Sequence, residues 1–414
     1  MGKRMWWVMV MVGALVLGLA APAAAAPAEF PYLGREIVVS AIDNVQHLPA
    51  AAYNWKHDEY LVVWHNEWGG GGTDIYAQRV TSGGQLRSWF NISGLPHSEA
   101  QPSVAYDPVH DRYLVVWAYD ILGDGSDWDI VGRFIPWEGP DPGLLEFGIC
   151  NWSTHQREPQ VVYARAMEEF LVVWNNEYQT GPLPMYVSGQ RIGSSDGQKV
   201  DNAWTIFTHG TEDRTNADVA YNLARNEYLV VCDNGVDIIG KRLTGNGQVL
   251  GPGEVRIAGW PDAEVRPAVA ACREADQYLV VWESYRPLMA DLFARFITGD
   301  GTPESVHEVS ALPPHEFVGD VVCNEAGREY LVTYQLGIYE AICGRLISPD
   351  KTLHPDFEIA ASPGHVLPAA AGGESNFLVV WQYRRSVQGW EDIHGRLVAP
   401  YAAFLPVVVR NRRM

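Results

Sequence analysis

Seven times along the chain a short apolar run breaks into polar and aromatic residues. It reads "EYLVVWHNEW" from residue 59, then "RYLVVWAYDI", "EFLVVWNNEY", "EYLVVCDNGV", "QYLVVWESYR", "EYLVTYQLGI" and "NFLVVWQYRR". The runs are β-branched, too short for helices and apolar at consecutive positions, the pattern of strands covered on both faces. Their opening aromatics are Tyr60, Tyr113, Phe170, Tyr228, Tyr278, Tyr330 and Phe377, spaced 47 to 58 residues apart. A repeat of that length with four short strands per unit predicts the blades of a propeller.

Four strands are legible in each unit. Strand A is "PSVAYD" at 102–107 and its counterparts, and strand B is the apolar run itself. Strand C is "DIYAQRV" at 74–80, echoed by "DIVGRFI", "DIIGKRL", "DLFARFI" and "DIHGRLV". Turns such as "TSGG" and "TGNG" follow, supplying the positive φ angles of tight hairpins. Strand D closes the unit as "FNIS", "FGIC", "WTIF" or "FEIA". Ten residues separate the last β-branched residue of strand D from the next opening proline, as in Ile92 to Pro102 and Ile257 to Pro267. The segment "EIVVS" has the same offset, Val39 to Pro49, yet no strand A, B or C precedes it. It reads as an orphan strand D. The expected fold is all-β: a seven-bladed β-propeller of four-stranded blades over residues 32–400, the last blade closed by the N-terminal strand against residues near 391–398. Such closure removes the free sheet edges of an open array. Val407–Val409 is a competing source of that strand, weakened by Pro406.

The motif "P-x-V-A-Y-D … YLVVW … W-D-I-x-G-R" resembles the WD40-like repeats of TolB-type propellers. It is similar also to exported bacterial repeat proteins whose blades carry "YLVVW" and "DIYGQR". The resemblance implies a propeller over about residues 36–399 and implies no catalytic residues. The chain departs from the TolB pattern in having seven copies and no separate N-terminal α/β domain.

Composition changes the picture in three ways. Residues 1–26 hold Lys3 and Arg4, an apolar run and small residues at Ala23–Ala26, a secretory signal too short to span a bilayer. A secreted or cell-surface monomer is therefore expected, without a membrane span after signal removal and with 401–414 as a short tail. The net charge of -20 argues against nucleic acid, which needs clustered Lys and Arg. The five cysteines, Cys150, Cys232, Cys272, Cys323 and Cys343, fall on or beside strands without ligand spacing, and each is expected to be a buried structural residue rather than part of a disulfide framework.

No catalytic motif is present: no G-x-S-x-G, no H-E-x-x-H, no P-loop. Acidic residues recur at the start of strand C (Asp74, Asp129, Asp237, Asp291, Asp392, and Glu340), and a residue repeated in nearly every blade is expected to cap a turn. Histidines in the D–A connections (His47, His97, His155, His209, His315 and His365) vary in offset and do not define a metal centre. Asp124, Asp127 and Asp129 offer oxygen ligands suited to calcium, but their spacing matches no calcium loop. No metal and no cofactor is expected. What differs between blades is the B–C loop after each "LVVW". There aromatics and carboxylates accumulate: Glu67, Trp68, Tyr119, Asp120, Trp128, Glu177, Tyr178, Tyr285, Tyr383 and Trp390, with Trp260 from a D–A loop on the same face. Flat rings beside hydrogen-bonding carboxylates suit sugars or polar peptides. The expectation is a non-catalytic binding or scaffolding module for a glycan, peptide or cell-surface protein. The alternative is a carbohydrate-active enzyme using loop carboxylates on that face.

Overall fold

The structure is a computed structural model describing residues 31–400, apart from 69–70, 179–183, 209, 274, 287–288, 311, 313–314, 339–340, 362 and 386–388. The signal segment, the 401–414 tail with Val407–Val409, His209 and Glu340 thus lie outside the described residues. Among the described residues there is no helix, and so none long and apolar enough to cross a membrane.

Seven four-stranded antiparallel sheets form the seven blades of a β-propeller. In blade 1 strands A to D are Gln46–Asn54, Glu59–Glu67, Thr73–Thr81 and Leu86–Ser93. Each strand A packs against strand A of the next blade, and that of blade 7 (His365–Gly372) meets that of blade 1, so the ring closes around a channel. Closure of the last sheet is by the N-terminal strand. Tyr32–Ser40 pairs antiparallel with Glu391–Ala399, Val38 opposite His394. The core leaves no open seam there: Val39, Tyr60, Val62 and Trp64 pack with Leu378, Val380 and Ile393 across the junction of blades 7 and 1.

The repeated words of the sequence each have a mechanical reason. Strand B is covered on both faces, and its tryptophans Trp64, Trp117, Trp174, Trp282 and Trp381 are among the largest fully buried side chains. The glycine of "D-I-x-G-R" lies against strand D: a Cβ on Gly132 would fall 2.9 Å from Ile149, and on Gly189 2.7 Å from Ile206. The basic residue after it ties blades together. Arg133, Lys241, Arg295, Arg345 and Arg396 donate to strand-D carbonyls of the preceding blade, at Ile92, Ile206, Ile257, Val309 and Ile359. Replacing Arg295 by Met should cost about 1.5–3 kcal/mol, the usual worth of a hydrogen bond from a charged donor. Urea denaturation of Arg295→Met checks this.

The cysteines require a correction. Cys272 and Cys323 form a disulfide, with Cα atoms 5.2 Å apart. Cys323 ends strand A of blade 6 and Cys272 directly follows strand A of blade 5. The two residues are 51 apart in sequence, but neighbouring inner strands lie side by side, a proximity that sequence spacing does not display. Cys150, Cys232 and Cys343 are buried free thiols.

Candidate functional site

The channel opens, on the face carrying the B–C and D–A loops, into a cavity of about 370 Å³ lined by all seven blades. Its rim is made by a bulge near the start of every strand A, where the register against strand B slips, as between His47 and Ala50 or Ala100 and Ser103. At the bulge Leu48, Gln101, Glu158, Asn216, Arg266 and Leu367 have φ between 48° and 57°. Non-glycine residues persist in that left-handed region only where their surroundings over-determine it. Here the support comes from the neighbouring blade. Asp233, Glu283, Gln335 and Gln382 each accept the backbone N–H of the next blade's rim residue: Arg266 at 3.0 Å, Val318 at 3.0 Å, Leu367 at 3.2 Å and Leu48 at 3.5 Å. These four each directly follow the last residue of the "LVVW" slot.

The rim is not uniform. Blades 2–5 contribute Gln101, Glu158, Asn216 and Arg266, whereas blades 1, 6 and 7 contribute Leu48, Val318 and Leu367. Two carboxylates lie deeper. Asp218 bridges blades 4 and 5 by accepting the Val269 N–H at 2.7 Å, and Asp320 does the same to Ala370 at 3.0 Å. Burial pushes them up, to about 6 for Asp218 and about 7 for Asp320, the backbone N–H groups opposing.

Beside the rim, at the junction of blades 7 and 1, lies a cluster of ionisable groups. His47 Nδ1 is 3.1 Å from the buried Glu391, and its Nε2 is 3.2 Å from the exposed Glu67. Burial lowers the His47 pKa, but hydrogen bonds and charge from Glu391 and Glu67 outweigh it and leave the imidazole above its ordinary value. His65, stacked on His47 at 5.1 Å, is held neutral, its pKa depressed to about 3 by burial and by His47. Arg384 donates to Glu391 at 2.8 Å.

The loop residues singled out from the sequence surround this mouth without lining it. Trp68 and Tyr285 are 41% and 38% exposed, and Glu177 is exposed. The Trp68 indole N–H donates to Asp74 at 2.8 Å, and the ring lies 5.9 Å from Tyr76, which together hold it in place. Trp128 is half-buried beneath Arg157, at 4.6 Å, and Trp260 packs edge-on against Phe293 at 4.6 Å. Trp390 lies 5.9 Å from the Arg385 guanidinium, Tyr119 stacks near His97 at 6.2 Å, and Tyr178 lies 5.5 Å from Tyr186. Tyr383 packs between His365 and His394, at 5.0 Å and 4.6 Å. Asp120 is buried and occupied: its two oxygens accept the N–H groups of Gly123 and Gly125, shaping its own loop. Asp124 likewise caps Ser126. Among the strand-C acids, Asp74, Asp237, Asp291 and Asp392 are held by side chains, Trp68, Arg256, Arg286 and Arg385, rather than by the turn N–H groups expected for caps. Among the described residues no group of three or more His, Cys, Asp or Glu could hold a metal ion.

Sequence reasoning passed over the rim itself. A signal was present: the residue after each "LVVW" slot reads His65, Ala118, Asn175, Asp233, Glu283, Gln335 and Gln382, polar in six blades directly after a continuous apolar run.

No family model matches the sequence, and no curated protein matches it. Among solved structures it is similar to a protein of unknown function from Dyadobacter fermentans, at 10% identity and TM-score 0.51, over 89% of this chain and 99% of that one. It is similar also to the Cps50 (Swd1) β-propeller domain of Myceliophteria thermophila, at 8% identity and TM-score 0.51, over 85% and 96%. A third is an oligogalacturonate lyase in complex with manganese, at 8% identity and TM-score 0.52, over 89% and 98%. At such identities the likeness is one of fold, and the fold is shared by enzymes and non-enzymes.

Proposed function

We propose that the protein is an exported, non-catalytic binding module that takes a glycan on the face carrying the B–C and D–A loops. The observation that supports this most is that exposed flat rings, Trp68 and Tyr285, lie on the same face as a polar arc of Gln101, Glu158, Asn216 and Arg266 at the channel mouth. A sugar ring needs a platform for its apolar face and planar hydrogen-bonding groups for its hydroxyls. Export is supported by the signal-like N-terminus and by the Cys272–Cys323 disulfide, a bond that persists in oxidising compartments. A glycan array on the secreted protein tests the reading. For a glycan that binds, Trp68→Ala with Tyr285→Ala should weaken affinity about tenfold or more with an unchanged melting temperature. Unchanged affinity in that double variant removes the site from this face.

One observation favours a second reading, a carbohydrate-active enzyme. Glu391, His47 and Glu67 form a carboxylate–imidazole–carboxylate array from a buried to an exposed position, an arrangement able to carry a proton to a bound substrate. Product formation from any bound glycan, lost in His47→Ala, would replace the binding-module reading.

A further inference from the structure

The opposite end of the channel holds a different cavity, of about 360 Å³. Where strand A ends, Tyr53, Tyr106, Tyr163 and Tyr221 of blades 1–4 occupy a slot that blades 5–7 fill with Ala271, Cys323 and Gly372. One side of the cavity is therefore a wall of rings, and the other is wider. The hydroxyls of Tyr53, Tyr106 and Tyr221 are turned away into Asp58, Asp111 and Asn226 of the A–B turns.

Two guanidinium groups line this cavity, Arg165 from the A–B turn of blade 3 and Arg273 from that of blade 5. The chain has 50 acidic and 30 basic residues, and most of its described arginines are engaged in ion pairs, as Arg79 is with Glu59 and Arg242 with Glu227. Arg165 and Arg273 are not: among the described residues neither has a carboxylate at ion-pair distance. Glu325 of blade 6 lines the same cavity and feels both charges, yet burial outweighs them and drives its carboxyl above the ordinary range. Arg165 is already placed, its guanidinium 5.1 Å over the ring of Trp55, which reaches in from blade 1. Arg273 follows Cys272 directly, so the Cys272–Cys323 disulfide anchors it.

We propose that this end of the channel is an anion-binding site in which Arg165 and Arg273 together hold a small carboxylate or phosphate. Guanidinium groups present planar donor forks that match both oxyanions. The cation–π contact with Trp55 places the Arg165 fork before the ligand arrives, which lowers the ordering cost of binding, and the disulfide holds the backbone beside Arg273. The site lies on the face opposite the glycan site and does not depend on it.

Isothermal titration of the full secreted chain at low ionic strength tests this, with citrate as the carboxylate probe and inorganic phosphate as the phosphate probe. The expected result is one saturable site for at least one of them, and the stronger binder names the ligand class. Arg165→Gln and Arg273→Gln should each weaken it about tenfold or more, the scale of losing one charge-assisted contact. Trp68→Ala, on the other face, should leave it unchanged. Arg273 sits on an exposed turn, so Arg273→Gln reads the site even where Arg165→Gln lowers stability. Failure of both anions to bind overturns the proposal, as does binding that survives Arg273→Gln.

Discussion

The folded protein should lose stability as pH rises from 5 to 8, and Glu99→Gln should recover most of one site's share. Glu99, Glu264 and Glu316 occupy one slot, near the start of strand A in blades 2, 5 and 6, and each is fully buried. Glu99 accepts the Ser93 hydroxyl at 2.6 Å, Glu264 accepts Ser284 at 3.1 Å, and Glu316 accepts Ser310. Burial pushes Glu99 from 4.5 up to about 8, and Glu264 and Glu316 up to about 7. The sign follows from proton counting. Between pH 4.5 and those raised values the folded chain keeps protons the unfolded chain has released, so stability is full below about pH 4.5 and declines as pH climbs through the raised values. For Glu99 the loss by pH 8 is up to about 4 kcal/mol, because each pH unit over which only the folded chain keeps the proton is worth about 1.4 kcal/mol. Glutamine already fills this slot in blades 1 and 3, as the buried Gln46 and Gln156, so the neutral side chain suits the site. Thermal melts from about pH 5 to 9 of the native chain, Glu99→Gln and the triple variant with Glu264→Gln and Glu316→Gln should show a slope that flattens in that order. A native chain equally stable at both ends of that range would mean these carboxyls ionise freely.

Opening the Cys272–Cys323 disulfide should cost about 4 kcal/mol, the loop-closure value for a 51-residue separation. The bond joins the inner strands of blades 5 and 6, where the slot lacks the tyrosine that blades 1–4 use to fill it. Urea midpoints with and without reductant should differ in the native chain and coincide in Cys272→Ser with Cys323→Ser. Identical midpoints for the native chain under both conditions would show that the bond adds nothing. The effect should be local: Cys150, Cys232 and Cys343 are buried thiols that reductant leaves unchanged.

The repeated strand B, strand C with its Gly-Arg pair, and the ten-residue offset that exposed Val39 as an orphan strand were all legible in the chain. They are local or strictly periodic, and the copies restate the same packing demand: two covered faces, a close strand D and, in five of the seven blades, a tie to the blade behind. The buried role of Trp64, Trp117, Trp174, Trp282 and Trp381 could be read the same way. What the chain could not display is the meeting of unlike blades. The rim is built by a bulge in one blade and a carboxylate or amide from the blade before it, as Glu283 holds Val318. Cys272 meets Cys323, and Trp55 meets Arg165, for the same reason. Those partners are set by curvature around the ring and by which residue each bulge turns inward. Asp120 marks the boundary: its acidic character beside an aromatic suggested a ligand, but only the folded loop directs Gly123 and Gly125 onto its oxygens. The blades and their closure follow from the chain alone, because burial repeats with the period of the strands. The channel mouth, the disulfide and the paired arginines arise only on folding, because each depends on contacts between repeats that differ.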